Sequence, residues 1–267
     1  MLTGADAAGL ARSAALAALA ELAWPTTDGR VRCAALTPLV AGGPVFALPY
    51  ARWGLAQDLA AAPAAAVVLS DPRLARRGWT PLGATVSLSV TADPRGERFR
   101  GELMAQELRK HPPSRALIDS PLLRREHWWY LPRLIVEVVE VDRVRAVGRR
   151  SGPDDAVLAY TTGGTVDADT VAAPDWDEDR IRLRSLAGRD HGAVGDVPAT
   201  LFSHDFAVPD LEARTERFAE GRLAGGRLRV DRRGGQPRVA GPPGLLTRLR
   251  DLRDLRRACI RGLRSAP

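Results

Sequence analysis

A chain of 267 residues, 45 % hydrophobic and 27 % charged, can bury a large core without disulfide or metal support. That composition excludes long disordered tracts, collagen-like repeats and coiled-coil rods. The formal net charge is +7, and of the 39 basic residues only Lys110 is a lysine. Counted by region, residues 1–150 hold 20 basic and 14 acidic groups, 151–240 hold 12 and 16, and 241–267 hold 7 and 2. The excess is divided between the front of the chain and its tail, and arginine-for-lysine usage beside abundant alanine reads as compositional bias, so nucleic acid is not an expected partner.

Residues 5–22 carry Leu10, Ala14, Leu16, Ala17, Ala20 and Leu22 at helical spacing and predict an amphipathic N-terminal helix. Asp6 and Arg12 do not suit a secretory leader, and no stretch has the length of a membrane span. Two strand-like runs, 31–39 and 45–50, flank Gly42-Gly43, which signals a hairpin. The pattern then predicts a helix over 53–61 ended by Pro63, a fully apolar strand over 64–69 and a loop over 71–83. Val86, Leu88 and Val90 alternate with Thr85, Ser87 and Ser89, the period of a half-buried strand. Asp93-Pro94 predicts the cap and first residue of a helix that stops at Pro112-Pro113, and 128–147 predicts a long terminal strand.

A turn-rich linker over 148–155 divides the chain. Beyond it, 156–161, 181–186, 199–204 and 227–230 read as strands, 210–220 as a helix and 233–236 as a hairpin. The stretch 198–204 echoes 44–50, either as a reduced copy of the first unit or as chance likeness between two apolar strands. In the tail, Leu245, Leu249, Leu252, Leu255, Cys259 and Leu263 recur every three or four residues, which predicts a helix that docks its leucine stripe and solvates its arginines.

Cys33 and Cys259 form no CxxC pattern and read as reduced, buried thiols of a cytoplasmic protein. No dinucleotide fingerprint, phosphate loop, nucleophile elbow or zinc-protease motif is present. His111, His127, His191 and His204 lie far apart and follow no metal-ligand spacing.

Three stretches carry a family likeness. They are 28–38 (DGRVRCAALTP), 50–63 (YARWGLAQDLAAAP) with the apolar strand after it, and 126–134 (EHWWYLPRL), where Trp129 and Arg133 are spaced as Trp-x-x-x-Arg. In these the first 147 residues resemble the FMN-binding split-barrel superfamily, which includes pyridoxamine 5′-phosphate oxidase and flavin- or deazaflavin-dependent oxidoreductases. The resemblance implies a mainly β fold with helices (α+β): a split β-barrel over 1–147, a smaller α+β domain over 156–243 and an arginine-rich helix over 244–267. It also implies FMN or the deazaflavin F420 as cofactor, a small-molecule substrate and a homodimer with no membrane partner. Arg32 and Arg52 would hold the cofactor phosphate, Tyr50 and Trp53 would border the ring, and Trp129 would reach across the dimer. Trp53, Gly54 and Leu55 stand where the oxidases have Ser, Arg and Lys, so Arg52 is the substitute cation. Some relatives bind haem through a histidine, for which His127 and His111 are the candidates. A cofactor-free binding or regulatory module is the third reading.

Overall fold

The computed structural model describes residues 4–241 and 244–266; the expected units 1–147, 156–243 and 244–267 each include positions outside that set. Helix α1 (Gly4–Leu16) ends before its periodicity does, and Ala20–Pro25 forms strand β1 instead of a last helical turn. Alanine and leucine favour helix there, but propensity is a weak prior. β1 pairs on one side with β2 (Val31–Leu36) and on the other with β5 (Ala65–Leu69), and Ala20 to Trp24 are all buried. Two ladders and a buried position on both faces override the local preference.

The expected hairpin exists as β3 (Leu39–Ala41) and β4 (Gly43–Pro49). A 3-10 turn, Tyr50–Arg52, leads into α2 (Trp53–Ala61), then β5 and β6 (Leu82–Asp93). The next helix begins later than Asp93-Pro94 suggests. The Asp93 carboxylate still caps it, accepting from the Glu97 and Phe99 amides at 2.9 Å each, ahead of a π-turn, Phe99–Leu103, and α3 (Met104–Lys110). Short helices α4 (Arg115–Ile118) and α5 (Pro121–Glu126) follow. Residues 128–130, expected as strand, form a 3-10 turn, and β7 runs from Arg133 to Ala146.

The strand order is β2-β1-β5-β6-β7-β4-β3. Its two ends, β2 and β3, are one segment bent at Thr37-Pro38, where proline has no N–H to continue a ladder. The segment pairs with β1 by its first half and leads to β4 by its second, so the sheet curls into a nearly closed antiparallel barrel.

The second unit repeats this device. Its strands are β8 (Asp155–Thr162), β9 (Thr165–Ala172), β10 (Arg180–Arg182), β11 (Arg184–Ser185), β12 (Val197–Phe206), β13 (Arg214–Ala224) and β14 (Arg227–Gly235), in the order β10-β14-β13-β12-β8-β9-β11. Here β10 and β11, separated only by Leu183, form the bent segment. Counting each bent segment once, both barrels place their strands as first, second, third, sixth, fifth, fourth. The stretches 44–50 and 198–204 fall on the third strand of one and the fourth of the other, so their likeness does not mark equivalent positions.

Three expectations change in this unit. Segment 210–220 is not a helix: β13 pairs with β12 at ten positions and with β14 on its other side. Residues 233–235 lie in β14, and the hairpin turn is Gly225-Gly226, whose φ values of 56° and 71° suit the tight turn that two positive-φ residues allow. Strand β9 went unsignalled because Asp167 and Asp169 interrupt its apolar pattern. Among the described residues this unit contains no helix, so the helical part of the α+β architecture resides in the first unit and the tail.

The barrels meet through Ala23, Val31, Ala66 and Val68 on one side and Val157, Ala159, Val166 and Ala168 on the other. Segment 148–155 is part of that seam, with Arg150 buried in it. Helix α6 (Leu245–Ser265) returns to the first barrel. Leu252, Leu255, Cys259 and Ile260 pack with Leu39, Phe99 and Trp129, while Leu245, Leu246 and Leu249 remain exposed. The leucine stripe therefore docks over its later turns only. No helix among the described residues is long and apolar enough to cross a membrane.

Candidate functional site

The residues expected to surround a cofactor are distributed by the fold rather than gathered. Arg32 projects from β2, half exposed, with Nη1 3.4 Å from Asp58 Oδ2 on α2. Arg52 is exposed at the end of the 3-10 turn. Tyr50 is 1 % exposed and lies parallel to Trp53, ring centroids 6.1 Å apart and planes 5° from coplanar. Burial, and then the charge of Asp93, push the Tyr50 phenol up from its ordinary value, and its hydroxyl has no hydrogen-bond partner. Helix α6 sits directly on this turn: a Cβ at Gly262 would overlap the Tyr50 carbonyl. Tyr50 thus offers no face to a ring, and this position does not fit a bound flavin.

The paired tryptophans separate cleanly, by a different geometry from the expected strand. In the 3-10 turn Trp128–Tyr130, Trp129 turns inward, 2 % exposed, with its ring edge-on to His127 at 5.8 Å and to Tyr130 at 5.9 Å. Within this chain it is a core residue. Trp128 is 54 % exposed and lines a cavity of about 640 Å³ with Leu131, Pro132, Ile260 and Leu263, while Arg95, Arg100 and Arg264 stand around it. Arg100 spends two donors on the Gly96 and Arg95 carbonyls (3.0 and 3.4 Å), which fixes its guanidinium and leaves Nη1 uncommitted. None of the expected cofactor residues lines this cavity.

The two candidate histidines differ. His127 Nδ1 donates to the Leu117 carbonyl at 3.0 Å, which leaves Nε2 as the lone-pair nitrogen. His111 belongs to a buried network. Ser114 Oγ donates to Glu107 Oε1 at 2.7 Å, so it accepts from His111 Nδ1 at 2.9 Å. Burial, and then the charges of Arg214 and Arg133, push His111 down to about 3, and the ring stays neutral.

Arg133 anchors the same network. Its guanidinium is fully buried between the Phe99 ring (3.9 Å) and the Tyr130 ring (4.2 Å), with Nη2 3.2 Å from Glu107 Oε1. The arginine of the Trp-x-x-x-Arg spacing is a core residue.

A second cluster lies in the seam. Glu21 of β1, Arg150 of the connecting segment and His204 of β12 are buried together, with His204 Nε2 2.7 Å from Glu21 Oε1 and Arg150 hydrogen-bonded to the same carboxylate. Arg73 joins Asp71 (2.7 Å) to Asp205 (2.5 Å) beside them, at the edge of a cleft of about 550 Å³. His204 Nδ1 is buried without a partner. Sequence reading missed this cluster because its members lie 129 and 183 residues from Glu21. No group of three or more His, Cys, Asp or Glu among the described residues is placed to hold a metal ion.

No protein-family model matches the chain, and no curated protein matches its sequence. Among solved structures it is similar to a haem-binding protein from Mycobacterium smegmatis, at 16 % identity over 98 % of this chain and 99 % of that one, with a TM-score of 0.35. A conserved hypothetical protein from Mycobacterium tuberculosis is 16 % identical over 54 % of this chain and 84 % of its own, with a TM-score of 0.36. A pyridoxamine 5′-phosphate oxidase-related, FMN-binding protein from Nostoc punctiforme is 16 % identical over 62 % and 94 %, with a TM-score of 0.31. At such identities the likeness assigns no ligand to this chain.

Proposed function

We propose that the chain is a flavin-dependent oxidoreductase acting on a small molecule, with FMN or a deazaflavin seated in the Trp128 cavity. The supporting observation is the make-up of that cavity: one exposed indole and five apolar side chains, surrounded by three arginines. A flavin phosphate requires fixed guanidinium donors, and an isoalloxazine ring requires a flat apolar wall. Trp128 offers that face, Leu131, Pro132, Ile260 and Leu263 exclude water, and Arg95, Arg100 and Arg264 supply the cations. Bound there, the cofactor would supply hydride transfer, which asks the chain for orientation and not for an acid or base. None of the residues lining the cavity is a carboxylate or a histidine, in keeping with that division. A second copy covering the open side and the exposed Trp128 is part of this reading.

Haem is the second reading, and His127 favours it. Its Nδ1 is held by a backbone carbonyl, leaving Nε2 as the nitrogen an axial ligand uses. His127 does not line the Trp128 cavity, so this reading seats the group against the histidine and not among the three arginines. Titration of the purified chain with FMN, deazaflavin and haem separates the readings. Flavin-type absorbance retained after dialysis, weakened in Arg100→Glu and Arg264→Glu and unchanged in His127→Ala, supports the first. A Soret band lost in His127→Ala supports the second. A chain that retains none of the three overturns both.

A further inference from the structure

The outer face of the second barrel carries an arrangement that neither cofactor reading uses. In the ladder between β10 and β14, Arg180 stands directly opposite Arg229 and Arg182 directly opposite Arg227, and Arg229 in turn faces Arg222 on β13. All point outward, because Ile181 and Leu228 between them are buried. Like charges placed opposite one another destabilise a sheet. Nearby carboxylates relieve them only in part: the Arg222 hydrogen bond, then its charge and that of Arg229, hold Asp196 below its ordinary value. Asp196 answers Arg222 at 2.7 Å, but among the described residues no carboxylate lies within ion-pair distance of Arg180, Arg182, Arg184, Arg227 or Arg229. Yet residues 151–240 contain more acidic groups than basic ones. The positive charge is concentrated by the fold.

Three of these arginines, Arg182, Arg184 and Arg227, line a shallow bowl of about 510 Å³ together with His191, Arg189 and one carboxylate, Asp190, whose Oδ1 accepts from the Gly192 amide at 2.7 Å. His191 is 4 % exposed, and its Nε2 lies 2.9 Å from Oδ2 of the fully buried Asp169. The carboxylate can only accept, so Nε2–H donates and the ring is fixed. Burial by itself would raise the Asp169 carboxyl, but hydrogen bonds from His191 and Ser185, with the charge of Arg189, outweigh it and hold the group below its ordinary value. Asp169 is therefore ionised and holds the ring at neutral pH. Nδ1 contacts no protein group. Only as a donor, with the ring doubly protonated, can it meet an oxygen of a phosphate dianion; the neutral ring presents an acceptor there and suits only a phosphate that keeps its own hydroxyl.

We propose that this bowl is a binding site for the phosphate monoester group of a small soluble molecule, gripped by Arg182, Arg184 and Arg227 and oriented by His191. A bound dianion removes the repulsion that the free barrel retains between opposed arginines. The bowl contains no Phe, Tyr or Trp on which a nucleobase could stack, and its one imidazole, His191, is buried, which distinguishes it from a nucleic-acid groove.

The test uses the full chain, with inorganic phosphate and glycerol 3-phosphate as probes, followed by calorimetry and by the imidazole resonances of His191. Saturable binding that moves the His191 signals is expected. Arg182→Glu places a carboxylate opposite Arg227. It should weaken phosphate binding at least about tenfold while raising the melting temperature of the free protein, a pairing of effects that a merely solvated arginine face would not give. His191→Gln should also weaken binding with the fold retained. Arg253→Glu, an equal charge change on the exposed side of α6, should leave binding unaltered. Absence of saturable phosphate binding, equal losses in Arg182→Glu and Arg253→Glu, or retention only on phosphatidic acid vesicles or an oligonucleotide would each overturn the proposal.

Discussion

Gly262 of α6 lies against the backbone carbonyl of Tyr50, so close that no side chain fits between them. This contact holds the C-terminal helix over the turn that joins β4 to α2. Gly262→Ala must displace the helix or the turn. Overpacking of this kind costs about 1–3 kcal/mol, expected as a fall in melting temperature of a few degrees. Because Tyr50 stacks on Trp53 beneath the contact, tryptophan fluorescence should shift with it. An unchanged melting temperature and spectrum would show that α6 does not bear on this turn.

The seam cluster predicts an acid-sensitive junction. Burial would raise the Glu21 carboxyl, but Arg150 and His204 outweigh it and hold the group below its usual 4.5. Asp71 is held down in the same way by Arg73 and Arg150 against its burial. A carboxyl whose folded-state value is depressed adds stability above its unfolded value and loses it as pH falls through the folded one. Urea midpoints should therefore hold level near neutrality and fall below about pH 4.5. Glu21→Gln, which leaves Arg150 buried with only the more distant Asp71 carboxylate at 4.0 Å, should cost up to about 3–5 kcal/mol at neutral pH and flatten that acid limb. A limb as steep as in the parent chain would remove Glu21 from the explanation.

Lys110, the one lysine, predicts a slope of the same sign in the alkaline range. Its ammonium nitrogen lies 2.5 Å from the Ala14 carbonyl and 2.6 Å from the Pro38 carbonyl. Burial, with Arg76 and Arg109 nearby, pushes it down to about 7 from an ordinary 10.5. Between those values the unfolded chain binds a proton that the folded chain does not, so stability rises with pH across this window. Lys110→Met should abolish the rise while lowering stability at alkaline pH, since two buried carbonyls lose their donor. A rise that persists in the variant would assign it to another group.

The Arg133–Glu107 pair should behave as a unit. Removing either partner alone leaves a buried charge and should cost about 3–5 kcal/mol. Because Phe99 and Tyr130 already enclose the site in aromatic surface, Arg133→Met with Glu107→Leu should cost less than the two single changes added together. Chemical denaturation of the four proteins gives the coupling, expected at about 1 kcal/mol or more; strict additivity would refute it.

Where one strong local pattern governed, the sequence was legible. Residues 53–61 form a helix, 84–91 lie in β6, and the leucine spacing after 244 marks α6. The architecture implied by the split-barrel likeness agrees with a nearly closed antiparallel barrel beside helices. Local pattern failed at β1 and β13. Both are written in helix-favouring residues, and both are flanked by strands on either side, a circumstance that no window of sequence contains.

The same division applies to function. Sequence alone determined that the chain can make its own core, that it lacks the motifs of nucleotide and zinc enzymes, and that all its basic side chains but Lys110 are guanidinium groups. Only the tertiary structure decided where those guanidinium groups point. Arg133 is enclosed by aromatic rings, Arg150 is neutralised in the seam, and Arg182 and Arg227 are set opposite each other across a ladder. The physical reason is that charge has meaning only with its surroundings. A buried arginine must be paired, and an outward pair held opposite across two strands stays repulsive until an anion meets it.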